Sequence, residues 1–273
     1  MALVTGANSG IGRVTAIELA LRGFHVFLAC RDAGKAAEVL REIAQRSASS
    51  AKAEFIALDL ADLDSVRRCA QAFIARQLPL HLLVNNAGLG GQKGLTASGF
   101  ELAFGVCHVG HFLLTRLLLD RLKEAAPSRV VVVASRAHRH AKGIDFATLR
   151  EPSRSRGGLM DYSVAKLANI LFAAELGRRL AGTGVTSYAL HPGVVATNVW
   201  RSLPWPLDRL SKLFMISAEE GAKTTLYCAT SEAMARQSGL YYDRCAVATP
   251  TPVAADAQLA QALWTASEAW TRD

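Results

Sequence analysis

The chain has 273 residues, 51% of them hydrophobic, with a formal net charge of +8. It is long enough for one large α/β domain or two small ones, each with a real core. The positive charge is spread through helix-like stretches without an aromatic-laced patch or basic arm, which excludes a nucleic-acid binder.

Apolar runs and helical periods alternate from the first residue. ALVT reads as a strand, and Ile11 to Arg22 as a helix. FHVFLA is a second strand, followed by a helix from Ala33 to Arg46. AEFIAL is a third, followed by a helix from Asp62 to Ala75 with Asp62 placed to cap its start. HLLV, VVVVA and VTSYAL supply three more strands, separated by helices near 98–123 and 160–181. This rhythm predicts one α/β domain of Rossmann type, a doubly wound parallel sheet with helices on both faces. Two stretches break it. The polar segment 142–158 reads as a loop. The segment 194–217, with Trp200, Trp205, Leu207, Leu210, Leu213, Phe214 and Ile216, reads as an insertion of irregular and short helical structure. Its aromatic group suits a substrate lid after the cofactor contacts, with plain core packing as the alternative.

TGANSGIG, residues 5–12, leaves the first strand and opens the first helix. Gly6 permits the tight exit turn, Gly10 lets backbone approach a diphosphate, and Gly12 allows close helix–strand packing. Asn8, Ser9 and Ile11 complete the cradle, where a helix N-terminus offers unpaired N–H groups to an anion. The second strand ends in LACRD, which puts Arg31 where an acidic residue would otherwise bind the ribose 2′-hydroxyl. A guanidinium there favours a 2′-phosphate, hence NADP(H). Asp32 follows at once and reads as the start of the next helix; a shift of one residue would reverse the preference.

Tyr162 and Lys166 stand four apart on an amphipathic helix, so one turn stacks them on the same face. A phenol ordinarily titrates near ~10. An ammonium beside it, in a cleft with a cationic cofactor ring, is expected to bring it down toward neutrality.

TGANSGIG, NNAG at 85–88, Ser135, YSVAK and HPGVVAT at 191–197 occur in order at sensible intervals. Together they resemble the short-chain dehydrogenase/reductase family. CRD, HVGHFLLT, SRAH and KLANILFAAEL resemble its retinol-dehydrogenase-like branch in particular. The resemblance runs from residue 2 to about 243 and leaves out only the C-terminal tail.

It implies Tyr162 as general acid/base, Lys166 as holder of the nicotinamide ribose, and Ser135 as hydrogen-bond donor to the substrate oxygen. Asp59 and Leu60 would lie beside the adenine. Asn85, Asn86, Ala87 and Gly88 form the segment that steadies the fourth strand and lines the cofactor. Pro192, Gly193, Val194, Val195 and Thr197 would touch the nicotinamide carboxamide and the pyrophosphate.

Two departures stand out. Where relatives place an asparagine, associated with a helix irregularity and a water leading to the lysine, this chain has Cys107. If the backbone carbonyl matters there, cysteine is tolerated; if the amide does, proton delivery suffers. Membrane-bound relatives carry an apolar N-terminal helix, whereas Met1 here runs straight into the first strand, with no secretory signal. No apolar run reaches the ~18 residues of a membrane span, since the longest candidate, HFLLTRLLL, is broken by Arg116. Cysteines 30, 69, 107, 228 and 245 lack metal-ligand spacing and suit reduced cytoplasmic thiols. His108 with His111, and His138 with His140, lack a third ligand, so no metal is expected. His191 reads as a loop or packing residue.

The expected activity is NADP(H)-dependent interconversion of a carbonyl and an alcohol on a lipophilic small molecule: retinoid, steroid or aliphatic. The alternative is an NADP(H)-binding regulator weakened by Cys107. The basic charge leaves contact with an anionic membrane surface open, and the helices near 98–123 and 160–181 leave a homodimer or homotetramer open.

Overall fold

A computed structural model describes residues 1–48, 50–153, 155–193, 216–235 and 237–272. Six strands follow the alternation of the sequence: β1 (Ala2–Thr5), β2 (Val26–Cys30), β3 (Ala53–Ala57), β4 (Leu82–Asn85), β5 (Ser128–Val133) and β6 (Val185–His191). Between them run α1 (Gly10–Leu21), α2 (Ala33–Arg46), α3 (Leu63–Ile74), the short α4 (Leu102–Phe104), α5 (Gly110–Glu124) and α6 (Leu159–Arg179). A π-helical turn, Gly105–Val109, joins α4 to α5. After residue 216 come α7 (Ala218–Thr230), β7 (Leu240–Asp243), β8 (Ala246–Val247) and α8 (Ala257–Trp270).

The strands form one sheet in the order β3-β2-β1-β4-β5-β6-β7-β8, parallel except for β8. The inner strands β1, β2 and β4 are buried along their whole length because both faces of the sheet are covered there. Leu3, Leu83, Val130 and Val132 point to a core shared with Phe112 and Phe172, while Val4, Val84 and Val131 point to a second core with Ile17 and Tyr188. Strand order reverses between β1 and β4, so the loops after these strands part and leave a crevice at their carboxyl ends.

Predicted and observed helices agree closely except near residue 98, where helix begins only at Leu102. Glu101 caps it, its carboxylate accepting from Phe104 N at 2.8 Å. Leu102–Glu124, at a mean hydropathy of 1.6, is long and apolar enough to span a membrane by length and composition, so Arg116 does not exclude it. However, 78% of its apolar window is buried inside this fold, as befits a core helix. The lid expected at 194–217 lies outside the described residues except for Ile216 and Ser217.

α8 was not expected. Asp256 caps it, accepting from the backbone N–H groups of Gln258 and Leu259 at 2.8 and 3.0 Å. Its Trp264 ring stacks on Phe172 at 6.0 Å and meets Phe112 edge-on at 5.0 Å. Part of the helical face offered above for self-association is therefore covered by the chain's own last helix.

Among the described residues four imidazoles are buried and lowered by desolvation: His108, brought down to about 3, His111 and His191, each to about 4, and His138. Below the ordinary 6.5 the unfolded chain takes up protons that the folded chain refuses. Their contribution is complete above that value and is lost as pH falls toward 4, at about 1.4 kcal/mol per pH unit for each of His108, His111 and His191. The urea midpoint should accordingly drop steadily between about pH 7 and pH 5. A flat profile would mean that these rings reach solvent.

Candidate active site

The crevice between β1 and β4 is a cavity of about 1070 Å³. Its phosphate end is the loop leaving β1, where Gly6, Asn8, Ser9, Gly10, Ile11 and Gly12 all line the wall. Gly6 has φ of +64°, and a β-carbon on Gly12 would lie 2.4 Å from the Gly6 carbonyl oxygen, so this packing admits no side chain. Thr5 stitches the loop to β4: its hydroxyl accepts the N–H groups of Asn86 and Ala87, each at 2.9 Å. Asn86 returns a bond from Nδ2 to the Thr5 carbonyl at 2.8 Å.

Arg31 lies at the end of β2 on the same cavity. Asp32 caps α2, accepting from Lys35 N at 3.0 Å, and that hydrogen bond leads in holding its carboxyl below the usual range. Asp32 also lines this end of the cavity, with its carboxylate engaged by its own helix. Lys35 was missed by the sequence reading, although it lines the same end and gives it a second cation. Asp59 and Leu60 line the neighbouring wall, Asp59 accepting from Ala61 N at 3.0 Å. Ala87 and Gly88 also line the cavity. Asn85 does not; it is buried, and its Nδ2 donates to the Thr115 hydroxyl at 2.9 Å, steadying β4 from behind.

Ser135, Tyr162 and Lys166 meet at the other end. Ser135 follows β5 in extended conformation and caps a 3-10 turn, Arg136–His140, its hydroxyl accepting from Ala137 N at 3.1 Å. Two histidines back this turn, and the sequence reading gave neither that task. His138 Nδ1 donates to the Ser135 carbonyl at 2.7 Å, and His191 Nδ1 accepts from Arg136 N at 3.2 Å. For His138 the sequence signal is SRAH, which sets it three residues after Ser135. His191 ends β6 as a packing residue, and Pro192 and Gly193 behind it line the cavity. A β-carbon on Gly193 would meet Ile216 at 2.3 Å. Val194, Val195 and Thr197 lie outside the described residues.

Lys166 is buried and donates from Nζ to the Val133 carbonyl at 2.8 Å, sharing that acceptor with Asn169 at 3.2 Å. Nζ lies 5.4 Å from the centre of the Tyr162 ring. Lowering of the phenol is expected with a cationic cofactor ring in the cleft; the protein's own field acts the other way. Burial pushes the Tyr162 phenol above its ordinary range, Cys107 adds to the push, and only a hydrogen bond with Ser135 opposes it. Lys166, itself pulled down by burial, is not what sets the phenol in the protein's own field. The protein's own field thus keeps the Tyr162 phenol neutral beside Ser135.

Cys107 is at the centre of the π turn, so the helix irregularity persists without an asparagine. Its Sγ has a long contact, 3.6 Å, to the Leu89 carbonyl. All five cysteines are free. Among the described residues, no three His, Cys, Asp or Glu side chains gather in a metal-holding group.

The family model for short chain dehydrogenase matches residues 1–148. The chain is 46% identical over 268 residues to human retinol dehydrogenase 12, covering 97% of this chain and 84% of that protein. The chain belongs to the short-chain dehydrogenase family. Within that family it lies in the retinol-dehydrogenase-like branch, and it is an enzyme of the oxidoreductase class. It is 47% identical over 272 residues to dehydrogenase/reductase SDR family member 13 of Bos taurus, covering 97% of this chain and 71% of that protein. A crystal structure of an uncharacterized protein from Mycobacterium paratuberculosis superposes with a TM-score of 0.79 at 38% identity, covering 99% of this chain and 92% of that one. Short-chain dehydrogenases bind a nicotinamide cofactor, and the cavity fits one: a glycine-rich phosphate turn, Arg31 and Lys35 at one end, and a buried phenol and ammonium at the other.

Proposed function

We propose that the chain is an NADP(H)-dependent reductase and dehydrogenase of lipophilic carbonyls and alcohols, acting through Ser135, Tyr162 and Lys166. The observation that carries this is the convergence of these three side chains on the crevice that has Arg31 and Lys35 at its far end. A bound nicotinamide supplies or accepts hydride; the chain's residues handle the proton and the charge. As hydride reaches a carbonyl carbon, negative charge grows on its oxygen. Ser135 and Tyr162 stabilise it as donors, and Tyr162 releases its proton to form the alcohol. A phenol kept neutral by burial suits that direction. For oxidation, the positive charge of an oxidised nicotinamide and of Lys166 favours the phenolate that must form.

Lys166 would hold the nicotinamide ribose, Asp59 and Leu60 the adenine side, Asn86, Ala87 and Gly88 the cofactor's inner edge, and Pro192, Gly193, Val195 and Thr197 the carboxamide and pyrophosphate. Arg31 and Lys35 would bind the 2′-phosphate. The name of human retinol dehydrogenase 12, and the apolar residues in the sequence of 194–217, support a retinoid-like or similarly apolar substrate. The test is purified protein with NADPH against a panel of retinal, steroid ketones and aliphatic aldehydes. No cofactor oxidation with any of them would end this reading.

Cys107 favours a second reading, a cofactor-binding regulator with weakened chemistry. Because the π turn is already formed around cysteine, Cys107→Asn is expected to change kcat by less than about fivefold. A rise of about a hundredfold or more would instead favour the regulator.

A further inference from the structure

His111 stands one turn after Cys107, buried, with a partner on each ring nitrogen. The proposed chemistry gives it no part. Nδ1 lies 3.0 Å from the Cys107 carbonyl, which can only accept, so Nδ1 carries the proton. Nε2 is then the acceptor of the neutral ring, 2.8 Å from the Thr5 hydroxyl. Thr5 already accepts two backbone N–H groups, so it has its own proton to give. The other acceptor in reach, the Val84 carbonyl, is more distant at 3.4 Å. The hydrogens therefore run one way, from the loop after β4 to Thr5, from Thr5 to His111, and from His111 to the carbonyl inside the π turn. Desolvation, aided by the charge on Lys166, keeps the ring neutral as this polarity requires.

The chain of bonds ends beside Lys166. Cys107 Sγ and Lys166 Nζ lie 3.4 and 3.3 Å from the point that a β-carbon on Gly88 would occupy. A thiol is too weak a hydrogen-bonding group to fix the turn by itself. His111 spans the gap between the cofactor loop and this turn.

We propose that His111 is a positioning residue, tying the Cys107 carbonyl to the Thr5 hydroxyl and so fixing the π turn that seats Lys166. The kinetic consequence rests on the proposed reaction; the clamp does not. With the carbonyl held this way, the side chain at 107 has only to fill its space, so cysteine is accommodated where relatives carry an amide.

The experiment compares His111→Leu with His111→Asn, each alone and combined with Cys107→Asn. Asparagine can still donate to the Cys107 carbonyl from near the place of Nδ1; leucine cannot. His111→Leu should lower kcat about tenfold, and His111→Asn should recover most of that loss. Cys107→Asn should help the leucine variant more than it alters the parent, a non-additive cycle. Independently of turnover, amide exchange across residues 105–110 should quicken about tenfold in His111→Leu but stay near the parent rate in His111→Asn. If His111→Leu does not fold, Thr5→Val removes the hydroxyl that holds Nε2, cuts the clamp at its other end and should loosen the same turn. Unchanged exchange at 105–110 in a folded His111→Leu, or equal effects of leucine and asparagine, overturns the proposal. Absence of turnover with every carbonyl compound would defeat the proposed reaction alone, leaving exchange to decide the clamp.

Discussion

Tyr162→Phe should reduce turnover about a thousandfold, the scale of a lost general acid, while NADPH still binds within about threefold of the parent. The change deletes one oxygen and the proton it carries. Phenylalanine fills the same buried space, so the fold and the cofactor's phosphate and adenine contacts stay in place. Only the oxygen beside Ser135 disappears. Cofactor fluorescence titration and single-turnover kinetics separate the two effects. Loss of NADPH binding along with activity would show that Tyr162 supports the cleft rather than the chemistry. Retained activity would take the proton donor elsewhere.

Arg31→Glu is expected to shift cofactor choice by a comparable amount. A hydrogen bond to a charged group contributes ~1.5–3 kcal/mol, so losing one from the 2′-phosphate costs about tenfold to a hundredfold in kcat/KM for NADPH. The new carboxylate adds repulsion toward that phosphate and offers a partner to the free ribose hydroxyl of NADH. The ratio of NADPH to NADH efficiency should therefore fall by a factor on the order of a hundred or more. Lys35→Ala should weaken NADPH in the same direction but less, because Lys35 also pairs with Asp32 at 3.6 Å. If the ratio does not move in the Arg31 variant, the phosphate end lies elsewhere.

The first six strands were legible because each is an apolar run bounded by helix-capping or turn residues, as at Asp32 and Asp62. Agreement at α2 was complete, since its cap and its amphipathic period mark the same ends. Gly6, Gly12 and the Tyr162–Lys166 pair were readable from local spacing at a strand end or within one helical turn, whereas Ser135 came only from the family resemblance. Contacts between distant segments were not legible. Nothing local announces that Asp256 caps a helix whose Trp264 completes a core layer with Phe112. Ser217, three residues before Glu220, did carry a capping signal for α7, and it passed unused. At Tyr162 the sequence shows a cation four residues away but not the depth of burial, which governs the phenol in the protein's own field. Here desolvation outweighs proximity.

Trp264 and Trp270 belong to the last helix, yet they finish an apolar layer that begins with Leu3. During synthesis the aromatic rings of α5 and α6 leave the ribosome about 150 and about 90 residues before their cover is made. That interval is the nascent chain's most adhesive stage, and a polypeptide stopped short of α8 would remain in it. Messages truncated near the 3′ end should thus yield a product bound to chaperones and cleared, even though every cleft residue has already been translated.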